Sequence, residues 1–442
     1  MGSDWHKFKL GDLGSFRNGA NFSKKDYAPG FPIVNVKQLY AHRYVETDNL
    51  LEVSSKAISN PESLFLKNGD ILFARSSVKG SGAGQAAMIS SCPENTIFSG
   101  FIIRFRIEAR DIALPLFVNY LLRSDIYREL LPRIASGTTI TNLSQGTLAS
   151  LPILLPPLPE QRAIAHILGS LDDKIELNHR MNHTLEAMAK AIFKSWFVDF
   201  DPVRAKAEGR PTGLPDDIAA LFPDSFENSE IGEIPKGWEV KPIGQVVKCV
   251  GGSTPSTKNP AFWAGGKNPF VTPKDMSSLT SPVILDTSRY ITDAGVAKIS
   301  SGRLPSGTVI LSSRAPIGYL AITEVTVSVN QGVIAMICNK DLPNHYVLYW
   351  TETNMETIKS NASGTTFAEI SKRNFRPMPV AVPVKPVLDA FVQQVEPLHR
   401  QLVLNLQESA TLARLRDTFL PKLISGELRI PDSAKFLEEA GL

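Results

Sequence analysis

Apolar residues recur at alternating spacings of four and three along two stretches of this chain. The first runs through Ile164, Leu168, Leu171 and Ile175, then Asn178 and Asn182, then Leu185, Ala189, Ile192 and Trp196. The second runs through Phe391, Val395, Leu398, Leu402, Asn405, Ser409, Leu412, Arg416, Phe419 and Leu423, each 227 residues further on. A heptad pattern sustained over that length predicts two long helices paired as a coiled coil. Asn178, Asn182, Asn405 and Ser409 form a polar layer in the apolar seam, which lowers stability but sets register. The alternative is a pair of long amphipathic helices packed on globular cores.

Outside these helices the pattern is one of short strand-like runs punctuated by Gly and Pro. Phe31–Val36, Asp70–Ala74 and Phe98–Ile107 precede a helix-like run at Pro115–Leu131, and Phe270–Thr272, Thr308–Ser312, Ser328–Ile337 and His345–Asn361 repeat that order. The chain is therefore written twice. Ser136-Gly137-Thr138-Thr139 returns as Ser363-Gly364-Thr365-Thr366 at the offset of 227, and Trp5, Leu10, Gly11 and Gly19 return as Trp238, Ile243, Gly244 and Gly252 at an offset of 233. Such duplication implies pseudo-two-fold symmetry, and duplex DNA is a common partner with two similar faces.

The expected organisation is an α+β fold. Residues 1–155 form a first mixed α/β domain, 156–198 a long helix, 199–237 a proline-rich linker, 238–382 a second domain, 383–425 a second long helix and 426–442 a tail. Antiparallel pairing of the helices would set the two similar domains at opposite ends of a rod and return the C-terminus towards the N-terminus. At 1.5 Å per residue the rod would be roughly 60 Å long, against roughly 34–36 Å for a DNA turn.

Composition narrows the class without deciding it. The 442 residues are 43% hydrophobic and 21% charged, as expected of folded globular domains. A net charge of +3 neither demands nor excludes nucleic acid, so any basic surface must be local. Cys92, Cys249 and Cys338 are far apart, which argues against a zinc site or disulfide framework and fits a reducing cytoplasm. The apolar stretch near Leu148–Leu158 is interrupted by Pro152, Pro156 and Pro157 and is too short to span a bilayer. No hydrophobic run follows Asp4, His6 and Lys7, so no signal peptide is expected.

Catalytic patterns read as decoys. Asn259-Pro260-Ala261-Phe262 resembles an amino-methyltransferase tetrapeptide, but the six residues separating it from Val250-Gly251-Gly252 cannot hold a cofactor fold; a surface turn is expected. Pro223-Asp224 with Glu239-Val240-Lys241 imitates a nuclease site in which two carboxylates hold a metal, yet Asp224 falls in the linker. His179 and His183 lack the third ligand that a metal needs. Gly80-Ser81-Gly82-Ala83-Gly84 lacks the Lys that cradles phosphate.

Polar loops suit DNA better. Arg75, Ser76, Ser77 and Lys79 follow one strand; Ser313 and Arg314 follow its counterpart. Lys24 and Lys25 occupy the early loop of the first copy, as Ser253, Thr254 and Lys258 do in the second, with Lys274 beyond. Thr138 and Thr139, and Thr365 and Thr366, lie in the repeated Ser-Gly-Thr-Thr segments. Arginine can fork onto guanine, whereas hydroxyls, lysines and backbone amides take phosphate oxygens.

These features, with Leu155-Pro156-Pro157-Leu158-Pro159-Glu160-Gln161-Arg162, Trp196-Phe197-Val198-Asp199-Phe200, Pro235-Lys236-Gly237-Trp238 and Leu420-Pro421-Lys422-Leu423-Ile424-Ser425-Gly426-Glu427-Leu428, resemble the specificity subunit of a Type I restriction-modification system over nearly the whole chain. The second copy departs from the Leu-Pro-Pro-Leu-Pro-Glu-Gln-Arg strip, with Val387 and Leu388 opposite Glu160 and Gln161. The resemblance implies a non-catalytic reader whose two target-recognition domains bind the halves of a bipartite, asymmetric double-stranded DNA site. It also implies that the helices dock modification (methyltransferase) subunits, which bind S-adenosylmethionine, and that restriction subunits with translocase and nuclease activity join them. No cofactor or metal is expected on this chain. A single-chain nuclease or methyltransferase, and a two-headed protein-interaction scaffold, are the competing readings.

Overall fold

The computed structural model describes residues 4–40, 43–77, 82–134, 141–364 and 368–430, together with 435 and 438. The chain divides into two compact units, residues 1–174 with 411–442, and residues 175–410.

In the first unit a four-stranded antiparallel sheet is ordered Gly14–Asn18, Ile102–Ile107, Ile71–Ala74, Ala86–Met88. A second sheet is ordered Leu51–Val53, Tyr27–Val34, Ile97–Phe98, its last pair parallel. Ile71, Phe73, Ile103 and Phe105 alternate on one face and pack with Phe117, Leu121 and Leu131. Leu72 and Ile102 point the other way, into a cluster with Ile33, Val34 and Phe98. This is the period-two pattern of strands buried on both faces.

The second unit repeats the plan. Its sheet is ordered Lys248–Gly251, Val333–Ile337, Val309–Ser312, Leu320–Thr323, Val283–Ile284, and a companion sheet is ordered Tyr290–Ile291, Asn268–Val271, Ser328–Val329. The fifth strand pairs parallel to Leu320–Thr323, where the first unit has a parallel bridge from Tyr44 to Met88. Each copy also pairs its opening strand with the strand entering its long helix: His6–Lys9 with Pro152–Leu155, and Glu239–Pro242 with Pro379–Val382. Gly19 and Gly252 occupy matching crossings, where a Cβ would fall 2.1 Å from the Ser99 oxygen and 1.7 Å from the Val329 oxygen. No larger residue fits without moving backbone.

Four runs expected to be continuous are interrupted. Phe98–Ile107 is two strands separated by a turn at Ser99–Phe101, and Ser328–Ile337 is divided likewise around Asn330–Gly332. The predicted helices break at Ser124 and Asn354, whose side chains bond the carbonyls of Leu121 (2.7 Å) and Trp350 (2.8 Å) in place of a helix continuation. Residues 199–237 carry regular structure: helices Asp201–Ala207 and Asp216–Ala219 and a hairpin of Phe226–Ser229 with Gly232–Pro235. Val203 and Phe222 of this segment are buried in the second unit, with Phe222 edge-on to Trp196 at 5.1 Å.

The long helices span Leu158–Phe197 and Lys385–Ser425. Within the second unit, Phe193 and Phe197 of the first pack on Phe391 of the second. Within the first unit, Ile164 and Leu168 pack with Leu423 and Ile424. Both sets run antiparallel. Phe419, expected in the seam, is 36% exposed, and Leu420 packs on the first domain's core instead.

Candidate nucleic-acid interface

In the first domain, hydrogen bonds gather three separate loops around the turn Ser99–Phe101. Ala20 N donates to Phe98 O (2.8 Å) and Gly100 N to Ala20 O (2.6 Å), tying down the early loop. That loop ends in the turn Lys24–Asp26, capped by the Ser23 amide and hydroxyl donating to Asp26 Oδ2, each at 2.7 Å. Those two bonds hold the Asp26 carboxyl below its ordinary range. Lys24 and Lys25 are exposed. Arg75 N donates to Phe101 O (2.8 Å) and Arg75 O accepts from Leu143 N (2.8 Å), while Ser76–Ser77 pairs antiparallel with Thr141–Asn142. The half-buried Arg75 guanidinium donates to Gly100 O at 3.3 Å.

The second domain gathers the corresponding loops around Asn330–Gly332. Thr254 Oγ1 donates to Gln331 Oε1 (2.5 Å), and Ser253 Oγ to Lys298 O (3.2 Å). Ser313 N donates to Gly332 O (2.8 Å) and Ser313 O accepts from Ile370 N (3.0 Å). Arg314 bridges Glu369 in an antiparallel ladder and lies 3.7 Å from its carboxylate. Lys258 is exposed near the end of the early loop, and Lys274 on a separate short helix, Pro273–Ser277, is exposed as well.

The hydrogen bonds set the correspondence between copies. Arg75 matches Ser313, because each donates to the turn and accepts from the segment after the Ser-Gly-Thr-Thr motif; Arg314 therefore matches Ser76. Ser313 is only 3% exposed. Its burial beneath the loop makes it a backbone strut, not a side-chain contact. Lys79, Thr138, Thr139, Thr365 and Thr366 lie outside the described residues. The turn residues Gly100, Phe101, Gln331 and Gly332 were not among the sequence candidates, although Gly100 and Gly332 interrupt otherwise apolar runs. Arg289, also not singled out, is exposed and stacks on Trp263 with 3.8 Å to the ring centre.

The decoy motifs are occupied by local structure. Asn259 caps its own turn by accepting from Ala261 N at 3.1 Å, and Glu239 is ion-paired with Lys241 at 2.6 Å. Among the described residues no group of three or more His, Cys, Asp or Glu is placed to hold a metal ion, and no helix is long and apolar enough to cross a membrane.

Polar groups attach each domain to its long helices. In the first, the buried Arg43 donates to Tyr120 Oη (2.8 Å) and Gly169 O (3.0 Å), and its guanidinium pairs with Asp172 (3.1 Å) and Asp173. Tyr120 Oη donates to Asp172 (2.6 Å), and Arg416 reaches the same carboxylate at 2.7 Å. Burial and the Asp172 charge push the Tyr120 phenol upward. In the second, His399 stands 227 residues after Asp172, bonded to Glu324 (2.7 Å), while His345 bonds Glu396 (2.8 Å) and the two imidazoles meet at 4.7 Å. In the first copy Gln161 serves Leu114 N, Ile112 O and Pro156 O, and Glu160 accepts from Trp5 and Arg429. Val387 and Leu388 replace this pair with core packing, and the Trp238 indole N–H is left buried without a partner.

The description "Type I restriction modification DNA specificity domain" matches residues 2–187 and again 235–400. The chain is similar to the Type I restriction enzyme HindI specificity subunit of Haemophilus influenzae, 27% identical over 96% of this chain and 100% of that protein. It is also similar to the MjaIX specificity subunit of Methanocaldococcus jannaschii, 26% identical over 97% and 94%. The crystal structure of a Type I restriction-modification S subunit from M. genitalium shares its fold, with a TM-score of 0.58 at 16% identity over 95% of this chain and 96% of that one. Two matches to one family, set on two copies of one loop convergence, show that the chain belongs to the Type I restriction modification DNA specificity family and is a non-catalytic, sequence-specific DNA-binding specificity subunit.

Proposed function

We propose that the two domains read the two halves of a bipartite, asymmetric double-stranded DNA site. The observation that carries this reading is that matched backbone positions around the two turns hold different chemistry: Arg75 against Ser313, Ser76 against Arg314, Gly100 against Gln331, Phe101 against Gly332. A shared scaffold with divergent loops suits two half-sites of different sequence. In this reading Arg75 and Arg314 contact bases. Lys24, Lys25, Lys258, Lys274, Ser76, Ser77, Ser253, Thr254 and the paired threonines hold sugar and phosphate.

The long helices dock modification subunits, and restriction subunits join that assembly in the cytoplasm. Leu177, Met181 and Met188 support the docking, since they lie exposed on the first long helix at 43%, 36% and 49%. Leu177, Met181 and Leu185 also line a shallow depression. Exposed apolar rows on a helix suit a partner helix.

Methylome sequencing of cells that express this chain with its modification subunit, against cells lacking this chain, tests the function. The expected result is a new methylated adenine in a split motif with a fixed unspecified gap. An unchanged methylome, with an assembled and active partner, rejects it in favour of the interaction scaffold.

A further inference from the structure

Resting on the reading of the first domain as a half-site reader, we infer that Phe101 is an apolar wedge that enters the base stack of that half-site. Phe101 is 65% exposed, the highest value among the large hydrophobic side chains of the described residues. Scattered exposed apolar residues are ordinary, but this one is mounted rigidly at the centre of the loop convergence. Its carbonyl accepts from Arg75 N (2.8 Å), the preceding Gly100 N is held by Ala20 O (2.6 Å), and the following Ile102 N donates to Ser99 O (2.9 Å). Its backbone therefore cannot swing to bury the ring.

The surroundings say what the ring meets. Lys24, Lys25, Arg75 and Ser76 belong to the loops tied to this turn, and they carry the donors that take phosphate and base edges. A protein interface would deplete charge around its apolar centre. Proteins that grip a backbone with cations and insert Phe between base steps unstack and kink the duplex. Gly332 stands at the matching place in the second domain, so the wedge belongs to one half-site and the distortion is one-sided.

The test uses the assembled complex of this chain with its modification subunit, and duplexes carrying 2-aminopurine at successive positions of the half-site identified by methylome sequencing. Wild type should raise the fluorescence at one step. Phe101→Ala should abolish that rise and weaken binding by roughly tenfold or more, while Phe101→Leu should retain most of both. Three results overturn the wedge: no rise at any position with wild type, an unchanged rise with Phe101→Ala whatever its affinity, or failure of Phe101→Ala to assemble with the modification subunit. A wild-type complex that neither binds nor methylates any split site instead overturns the half-site reading, and the wedge with it.

Discussion

Asn405 Nδ2 donates to Asn182 Oδ1 at 2.9 Å, across a helix seam that is otherwise mostly apolar. One turn from Asn182, Asn178 Nδ2 reaches Glu408 Oε2 (2.8 Å), Ser409 Oγ (3.3 Å) and Asn405 O (3.4 Å), and Gln401 donates to Asn405 Oδ1 (2.8 Å). The bonds from Asn178 and between Asn405 and Asn182 cross between the helices and exist only in one register; the Gln401 bond lies within one helix and orients Asn405.

Asn405→Ala should lower the thermal midpoint, because it strands the buried Asn182 carbonyl; an unsatisfied buried group costs about 1–3 kcal/mol. Replacing Asn178, Asn182, Asn405 and Ser409 together by Leu should raise the midpoint and relax register. Cysteine pairs placed for cross-linking in native and shifted registers would detect the slip. Native-only cross-links in the all-Leu protein would deny the layer a register role.

Arg75→Ala and Arg314→Ala should each degrade one half of the methylated motif and spare the other, at about 1–3 kcal/mol of discrimination. Lys24→Ala with Lys25→Ala should weaken all sequences alike and flatten the salt dependence of binding. Methylome sequencing and salt titration separate the two classes.

Gln161→Ala should destabilise the first unit by about 1–3 kcal/mol or more, since it leaves Leu114 N and the carbonyls of Ile112 and Pro156 without their partner. Hydrogen exchange should show the loss in residues 1–174, whereas Leu388, the matching residue, has no such bonds to lose.

The second unit should weaken in mild acid. Burial first, and then His399, hold His345 below the ordinary imidazole range, while the bond from His345 holds Glu396 below the usual carboxylate range. The folded state therefore binds fewer protons than the unfolded chain below about pH 6.5, so stability is full above that pH and falls as pH drops, first through His345 and later through Glu396. Glu324 and Arg400 complete the charges facing the pair. His345→Gln should flatten the upper part of the acid limb, read as thermal midpoint against pH. An unaltered limb would assign it to other groups.

The repeat, the paired helices and the polar layer were legible because each is periodic: a heptad reports a helix face, and an offset of 227 reports a duplication. The two turns were less legible. Phe98–Ile107 and Ser328–Ile337 read as single strands because the apolar character resumes on both sides of Ser99–Phe101 and Asn330–Gly332, and a turn three residues long leaves little periodic trace. The burial of Ser313, which the strand ending at Ser312 delivers to the position of Arg75, was likewise hidden. Residues 199–237 looked like a spacer by their prolines, yet Val203 and Phe222 find a core supplied by distant residues.

By itself, then, the sequence determined what local patterning can encode: two similar mixed domains, two long antiparallel helices with a polar layer, and a chain without a catalytic motif. Tertiary structure decided which loops meet. Ala20, Arg75, Phe101 and Leu143 are brought together by backbone hydrogen bonds between segments tens of residues apart, and such pairing depends on sheet order, not on the identity of the side chains it unites. For the same reason burial separated Ser313 from the surface and left Phe101 on it. Residue type cannot report the side of a loop that faces solvent until the strands beneath it are in place.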